Sequence, residues 1–293
     1  MHTTLNRLPA GEVRAFARFT FPRFRSLLAE PQADPIWAIG AECGREPVGL
    51  ALARTRSNGE AEVLSLFVSR PFRAAGLGTR LLSRLESELC SDGSPAASAT
   101  YIGEGPTSPA LERILRNLGW TAPMLQTLVG TADLLASRPG WIGRLSPPER
   151  FEPFPWSGLS EADRRAIRDR QGETLWYPEI LSPFRWEDPP EPCNSLGLRW
   201  RGEVVGWVIA HRLRPEKVRY SSLFVDSRLQ GTGRAVELLS LALARQIAAG
   251  IPLATFGVDA RNEPMLRLVN RHFRPYLTSL RPTFGVRKRF DPS

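Results

Sequence analysis

Arg73-Ala-Ala-Gly76-Leu-Gly78 returns 157 positions later as Gln230-Gly-Thr-Gly233-Arg-Ala235. Both fit one pattern: Arg or Gln, two residues, Gly, one residue, then Gly or Ala. The likeness extends outward at the same offset. Glu46, Val48, Gly49 and Ala53 match Glu203, Val205, Gly206 and Ala210, and Ser65-Leu-Phe-Val68 matches Ser222-Leu-Phe-Val225. Leu81-Leu-Ser83 matches Leu238-Leu-Ser240, so positions 46–83 carry twelve identities in 38 without a gap. Self-similarity sustained at a fixed offset marks a duplicated unit.

The chain of 293 residues is long enough for two domains of about 150 residues. A 42% hydrophobic and 24% charged composition is that of an ordinary globular protein. Arg14, Arg18, Arg23 and Arg25 interrupt the first thirty residues, which argues against a signal-peptide core. No run approaches the ~20 apolar residues that span a bilayer. Cys43, Cys90 and Cys193 are scattered and odd in number, which fits a reducing cytosol better than a disulfide framework. The three cysteines and His2, His211 and His272 share no metal-ligand spacing, so no metal is expected. A net charge of +9 invites a nucleic-acid reading, but the basic residues are spread along the chain and 37 of 39 are arginine. A nucleic-acid partner is therefore not expected, and an anionic ligand fits the charge better.

Taken in order, residues 11–30 read as helical, broken by Pro22 into two short pieces. Strand-like runs follow at Ile36–Cys43, Val48–Ala53 and Ala61–Ser69. The glycine loop leads into a helix over 78–89, a strand over 98–103, a helix over 109–118 closed by Gly119, and a last strand over 125–130. Prolines and glycines between Thr131 and Glu149 mark a linker. The second unit repeats the order: a helix over 160–171 with Ser160 as N-cap, strands over 195–200, 204–211 and 218–226, and a helix over 234–249. A strand over 253–258, a helix over 263–273 and closing strand structure over 277–286 complete it. The expected class is α/β (α+β), with domains 1–135 and 150–293 joined by a linker at 136–149. Each domain is a mixed, mostly antiparallel sheet flanked by helices.

A strand that runs through a glycine turn into a helix builds an anion site, because the first helical N–H groups lack partners and the dipole favours negative charge there. Neither copy reads as a nucleoside-triphosphate P-loop or as a dinucleotide fingerprint. With these motifs in these contexts, the chain resembles the GNAT superfamily of acyl-CoA-dependent N-acyltransferases. That family's signature, Arg/Gln-x-x-Gly-x-Gly/Ala, is matched by Arg73, Gly76 and Gly78 and again by Gln230, Gly233 and Ala235. The resemblance implies two tandem GNAT-like domains that use acetyl-CoA. It implies that the amides of Arg73, Ala74, Ala75, Gly76, Leu77, Gly78 and Thr79 hold the CoA pyrophosphate. Gln230, Gly231, Thr232, Gly233, Arg234 and Ala235 would do so in the second copy, and Leu66, Phe67, Val68 and Leu223, Phe224, Val225 would pair with pantetheine like an added strand. The bland reading is a loop that only turns a strand into a helix.

The family's frequent base is a glutamate eleven residues before the signature, which falls on Glu62 in the first copy and on Arg219 in the second. Arginine stays charged and cannot serve as a base; Glu62 reads equally well as a solvated strand residue. The family's usual tyrosine acid falls on Leu115 and Leu268, so Tyr276 is the substitute candidate, with a structural tyrosine as its alternative. Asn262 stands where many members contact CoA, and serves equally as a helix N-cap. Trp176, Tyr177, Arg185 and Trp186 lie where members shape the acceptor pocket, or else fill the core. The sequence leaves open which copy does the chemistry. The expected function is transfer of an acetyl group to an amine of a small molecule or peptide in the cytoplasm, away from membranes. The alternative is a CoA-binding protein without turnover.

Overall fold

Four antiparallel neighbours begin the chain: β1 (Thr4–Arg7), β2 (Ile36–Cys43), β3 (Glu46–Thr55) and β4 (Ala61–Val68). The computed structural model describes residues 3–9, 12–28 and 35–290. After β4 comes helix α1 (Leu77–Ser91), then β5 (Ala96–Ile102), parallel to β4, then α2 (Ser108–Asn117). Leu77, Leu81, Leu82, Leu85 and Leu89 recur at helical spacing along α1 and are buried against Trp37, Ile39, Ala41, Val48, Ala51 and Ala53. Burial of each leucine stabilises by roughly 1.5–3 kcal/mol. The opposite face of β2–β4 is covered by Phe16, Phe19 and Leu28, which pack on Ala38, Leu50 and Leu52.

The two short helices expected over 11–30 are instead a 3-10 helix at Val13–Phe19 and single 3-10 turns at Pro22–Phe24 and Ser26–Leu28. Pro22 removes a donor, and an aromatic every few residues serves a sheet face as well from a tight turn as from an α-helix. The outer ends of that stretch lie outside the described residues.

The second unit contains β6 (Met124–Asp133), α3 (Leu134–Ser137), β7 (Phe151–Pro155), α4 (Glu161–Thr174), β8 (Leu196–Trp200) and β9 (Glu203–Arg214). It continues through β10 (Lys217–Val225), α5 (Arg234–Ala248), β11 (Leu253–Asp259) and α6 (Glu263–His272). Ser160 caps α4 as expected, and Asp163 reciprocates to form a capping box. Leu238, Leu239, Ala242 and Leu243 of α5 pack on Leu196, Leu198, Val205 and Val208. Trp207, Ile209 and Phe224 face the other way, into Phe154, Trp156, Ile167 and Tyr177. Each sheet thus has both faces covered.

The chain's last strand, β12 (Leu277–Arg289), decides the boundaries. Its residues Thr283–Arg289 pair with β5, so the strand order within the first unit runs β1-β2-β3-β4-β5-β12. Residues Thr127–Asp133 of β6 pair with β11, so the order within the second runs β6-β11-β10-β9-β8-β7. Accordingly one compact unit comprises residues up to Gln126 and those from Pro282 onward, and the other is Thr127–Arg281. The contiguous domains 1–135 and 150–293 expected from the repeat differ from this, because each sheet takes its closing strand from the other half of the sequence. The segment expected as a linker also belongs to the second unit. Trp141 packs edge-on against Phe273, and Gly143 N–H donates to Ser240 Oγ. Among the described residues no helix is long and apolar enough to cross a membrane.

Lys288 of β12 ion-pairs with the buried Glu86 of α1 at 2.5 Å, and Trp120 Nε1 donates to the same carboxylate at 2.7 Å. Truncation after Arg281 should therefore strip β5 of its neighbour and loosen the first unit alone. Hydrogen exchange should show amides of 96–102 losing protection while those of β8–β10 keep theirs. Unchanged protection in β5 would contradict the strand exchange.

Candidate functional site

In each unit a pair of parallel strands parts company midway. β4 and β5 pair only at Ala61–Ala97, Glu62–Ser98 and Val63–Ala99, although β4 continues to Val68 and β5 to Ile102. The cause is local: on β3, Leu52 faces Ser65 while the adjacent Ala53 faces Val63, which makes Leu64 a surplus residue. Such a bulge bends its strand and raises the local twist. The edge of Ser65–Val68 turned away from β3 is left without a strand partner among the described residues. In the second unit Ser221 is the surplus residue, between Ala210–Tyr220 and Ile209–Ser222. Pairing of β10 with β11 ends at Tyr220–Phe256. An open main-chain edge of this kind accepts an extended ligand as an added strand.

The glycine turns lie at the end of these open edges. Gly76 is the N-cap of α1 with φ 74°, and Gly233 is the N-cap of α5 with φ 89°, left-handed values that cost a side-chain-bearing residue about 1–2 kcal/mol. A Cβ on Gly76 would meet nothing within 4 Å, so the space over the first turn of α1 is clear. No side chain caps α1, no acidic residue occupies its first turn, and Leu77 faces the core. Arg73 is drawn back over the strand: its Nε donates to Val68 O at 2.9 Å and its guanidinium lies over Phe67. Beside the loop, Thr79, Arg80, Ser83, Arg84 and Ser87 line one side of a cleft of about 390 Å³ with Leu5 and Leu118. Arg80 is engaged by Thr3 and Arg84 by Glu88, so the uncapped amides of α1 are the main donors for an anionic phosphate ligand.

The second loop has the same backbone and different chemistry. Arg234 replaces the core leucine and pairs with Glu237 at 2.8 Å, while its Nη2 donates to Thr232 O at 3.1 Å. The Glu237 carboxylate, raised by burial against the lowering effect of Arg234, comes within 3.8 Å of where a Gly233 Cβ would stand. The first turn of α5 therefore already holds an ion pair, whose carboxylate stabilises the helix N-terminus from within and competes with an external anion for it. Trp176 and Tyr177, candidates for an acceptor pocket, are packed edge-on against Trp207 and Phe224 and serve the core. Trp176 Nε1 also donates to Asp226, which accepts from Arg170 at 2.6 Å and from Arg228 through its N–H and guanidinium. Burial alone would raise the Asp226 carboxyl; the hydrogen bonds from Arg228 and Arg170 outweigh it and hold the group far below its ordinary value.

Glu62 lies in the last paired stretch of β4, just before the bulge. Arg54 and Arg56 each reach it at 3.0 Å. Burial alone would raise its carboxyl; hydrogen bonds and charge from Arg56 and Arg54 prevail and lower it. Tyr276 sits in the 3-10 turn Arg274–Tyr276 of the second unit, so Glu62 and Tyr276 belong to different units. Asn262 accepts from Met265 N at 3.1 Å as the N-cap of α6. Sequence reasoning passed over Tyr101, which lies on β5 beyond its last pairing with β4 and donates to Glu112 of α2 at 3.0 Å. Burial, with Glu112 adding to it, pushes its phenol up to about 12. No spacing in the sequence links Tyr101 to Glu112; only the crossing of α2 over β5 brings them together.

The sequence profile of the Acetyltransferase (GNAT) family matches residues 7–100 and 156–273, more than half of the chain. No curated protein sequence matches it. Among solved structures, a GCN5-related N-acetyltransferase from Sphaerobacter thermophilus is 18% identical with a TM-score of 0.68, over 98% of this chain and 95% of that one. A tandem GNAT protein from the clavulanic acid biosynthesis pathway is 17% identical with a TM-score of 0.64, over 100% of both chains. A GCN5-related N-acetyltransferase from Kribbella flavida is 15% identical with a TM-score of 0.54, over 96% of both. At such identities the likeness carries the fold, and residue roles rest on geometry.

The Asp226 network makes a pH-dependent contribution of definite sign. A carboxyl depressed in the folded state stabilises above the unfolded value of about 3.9, and the effect fades as pH falls toward the folded value. Asp226→Asn should cost about 1–3 kcal/mol at pH ~7, since it removes the charge-assisted hydrogen bonds from Arg170, Arg228 and Trp176, and should flatten the loss of stability below about pH 4. Urea unfolding of both proteins across that range is the measurement.

Proposed function

Because the chain belongs to the GNAT acetyltransferase family, we propose that it is an acetyl-CoA-dependent N-acetyltransferase whose first unit holds the donor. The observation that carries this reading is the contrast between the loops. The first turn of α1 is clear and free of acid, whereas that of α5 contains the Arg234–Glu237 pair. Arg73 through Thr79 would hold the pyrophosphate on main-chain N–H groups, and the open edge at Leu66, Phe67 and Val68 would take the pantetheine arm. When bound, acetyl-CoA supplies the acetyl group as an activated thioester. The acceptor is an amine of a small molecule or peptide.

The residues around the parting strands divide the remaining work. Glu62 takes the ammonium proton through water; held ionised by Arg54 and Arg56, it is weakly basic but always available. Arg219 at the equivalent place in the second unit stays charged and cannot do this. Tyr101, at about 12, is a weaker acid than an ordinary thiol near 8.5, so it orients Glu112 and does not supply the closing proton. A second reading, donor binding without turnover, is favoured by the double ion pair that occupies Glu62.

Calorimetry of matched variants tests the donor site. Gly76→Val should weaken acetyl-CoA binding by about tenfold or more, the loss of one or two charge-assisted hydrogen bonds. Gly233→Val imposes similar backbone strain and should leave affinity within about twofold; the reverse pattern would move the donor to the second unit. Glu62→Gln should lower turnover by about 10²-fold while acetyl-CoA affinity stays nearly unchanged. Full activity in that variant would remove Glu62 from the chemistry.

A further inference from the structure

The second unit carries an unneutralised polar cluster at the bulge of β10, apart from its glycine loop. The Arg219 guanidinium lies over the Trp186 ring at 4.3 Å, and Arg185 approaches the same ring at 5.6 Å. His211, opposite Arg219 on β9, is 2% exposed, and its ring centroid is 5.6 Å from that of Trp186. Ser221, the surplus residue, ties them together: Arg219 Nε donates to its Oγ at 3.1 Å, and His211 Nδ1 lies 2.7 Å from the same atom.

Hydrogen-bond accounting leaves donors over. Ser221 Oγ accepts from Arg219 Nε, and in the tautomer where its hydroxyl donates to His211 Nδ1 the ring proton stands on Nε2. His211 Nε2 and Trp186 Nε1 are both buried without a hydrogen-bond partner among the described residues. The Asp188 main chain lies near enough to His211 to oppose the lowering of its pKa, but it forms no regular hydrogen bond with Nε2. The terminal nitrogens of Arg219 have no hydrogen-bond or ion-pair partner among the described residues. Two buried donors left unmet cost about 1–3 kcal/mol each, which a bound acceptor would recover.

Charge points the same way. Arg219 is pulled below its ordinary value by burial, with Asp188 as the one opposing carboxylate. Burial, and then the Arg219 charge, hold His211 below its ordinary value, so the imidazole is neutral at neutral pH. Arg185 and Arg219 against Asp188 leave one positive charge beside an apolar indole face. A planar monoanion with two acceptor oxygens matches that charge and the guanidinium fork, whereas a dianion would be only half neutralised.

We propose that Arg219, Arg185, Trp186 and His211 form a binding site for a small organic carboxylate in the second unit. The site stands independently of the donor loop, since none of its residues belongs to a glycine turn. A carboxylate there accepts from Arg219 and from Trp186 Nε1–H, and from His211 in its Nε2–H tautomer, while its apolar part lies along the indole.

The full-length protein labelled with ¹⁵N tests this through the indole N–H resonance of Trp186, assigned by its loss in Trp186→Phe. Titration with sodium benzoate should shift that resonance saturably, with half-saturation at or below about 1 mM, the weak end of specific binding. Arg219→Gln should weaken the response about tenfold or more, and Arg219→Lys, which keeps charge without the fork, should weaken it by less. Sodium chloride at matched ionic strength should leave the resonance in place. No saturable shift up to about 50 mM benzoate would overturn the proposal. So would inorganic phosphate binding as tightly as benzoate, or unchanged affinity in a folded Arg219→Gln. Because the readout needs neither acetyl-CoA nor turnover, its failure is distinct from failure of the donor assignment.

Discussion

One surplus residue, Leu64 in β4 and its counterpart Ser221 in β10, ends the parallel pairing with the neighbouring strand in each unit. Main-chain N–H and C=O groups must find partners, and a strand that loses its neighbour midway exposes a row of them. The same departure brings the strand end to a left-handed glycine, from which a helix starts with its first amides uncapped. An open edge followed by an open helix terminus forms one continuous surface suited to a ligand with an extended amide arm and a charged tail. Burial of both sheet faces by leucines and aromatics keeps this backbone arrangement fixed.

The two units share that backbone and differ in charge at equivalent places. In the first, the clear turn at Gly76 offers donors without competition, and Glu62 sits between two arginines. In the second, Glu237 supplies the helix terminus with its own counterion, and Arg219 stands where Glu62 would be. A counterion already in place at the second helix terminus competes with any external anion, because charges in a half-buried site are weakly screened. Duplication preserved the scaffold and let the side chains that meet ligands diverge.

The exchange of closing strands binds each sheet to sequence from the other half of the chain. β5 gains Thr283–Arg289 and β11 gains Thr127–Asp133, each antiparallel, so neither sheet ends on its parallel inner strand. Trp141 and Gly143 further anchor the proline-rich stretch to α5 and α6. Such long-range pairing makes the folding of one unit depend on sequence made at the far end of the chain.

The repeat, the strand–glycine–helix signature and the helical leucine spacing were legible in the sequence because they are periodic and local; they determined the family and the elements. The bulges at Leu64 and Ser221 and the exchange of β6 and β12 were not, since strand registry depends on partners over a hundred residues away. Side-chain meaning was the least legible. Glu62 is marked out only by the resemblance to the family, while the state of its carboxyl, raised by burial and lowered more strongly by Arg56 and Arg54, is set by neighbours in the folded chain. Trp176 and Trp186 look alike in sequence, but packing sent the first into the aromatic core and the second to the arginines of β10 and its own flank. Sequence by itself determined that one strand–glycine–helix unit occurs twice. Tertiary structure decided which loop is clear and which is already neutralised, because charge balance at a buried site is summed over neighbours that the chain brings together only when folded.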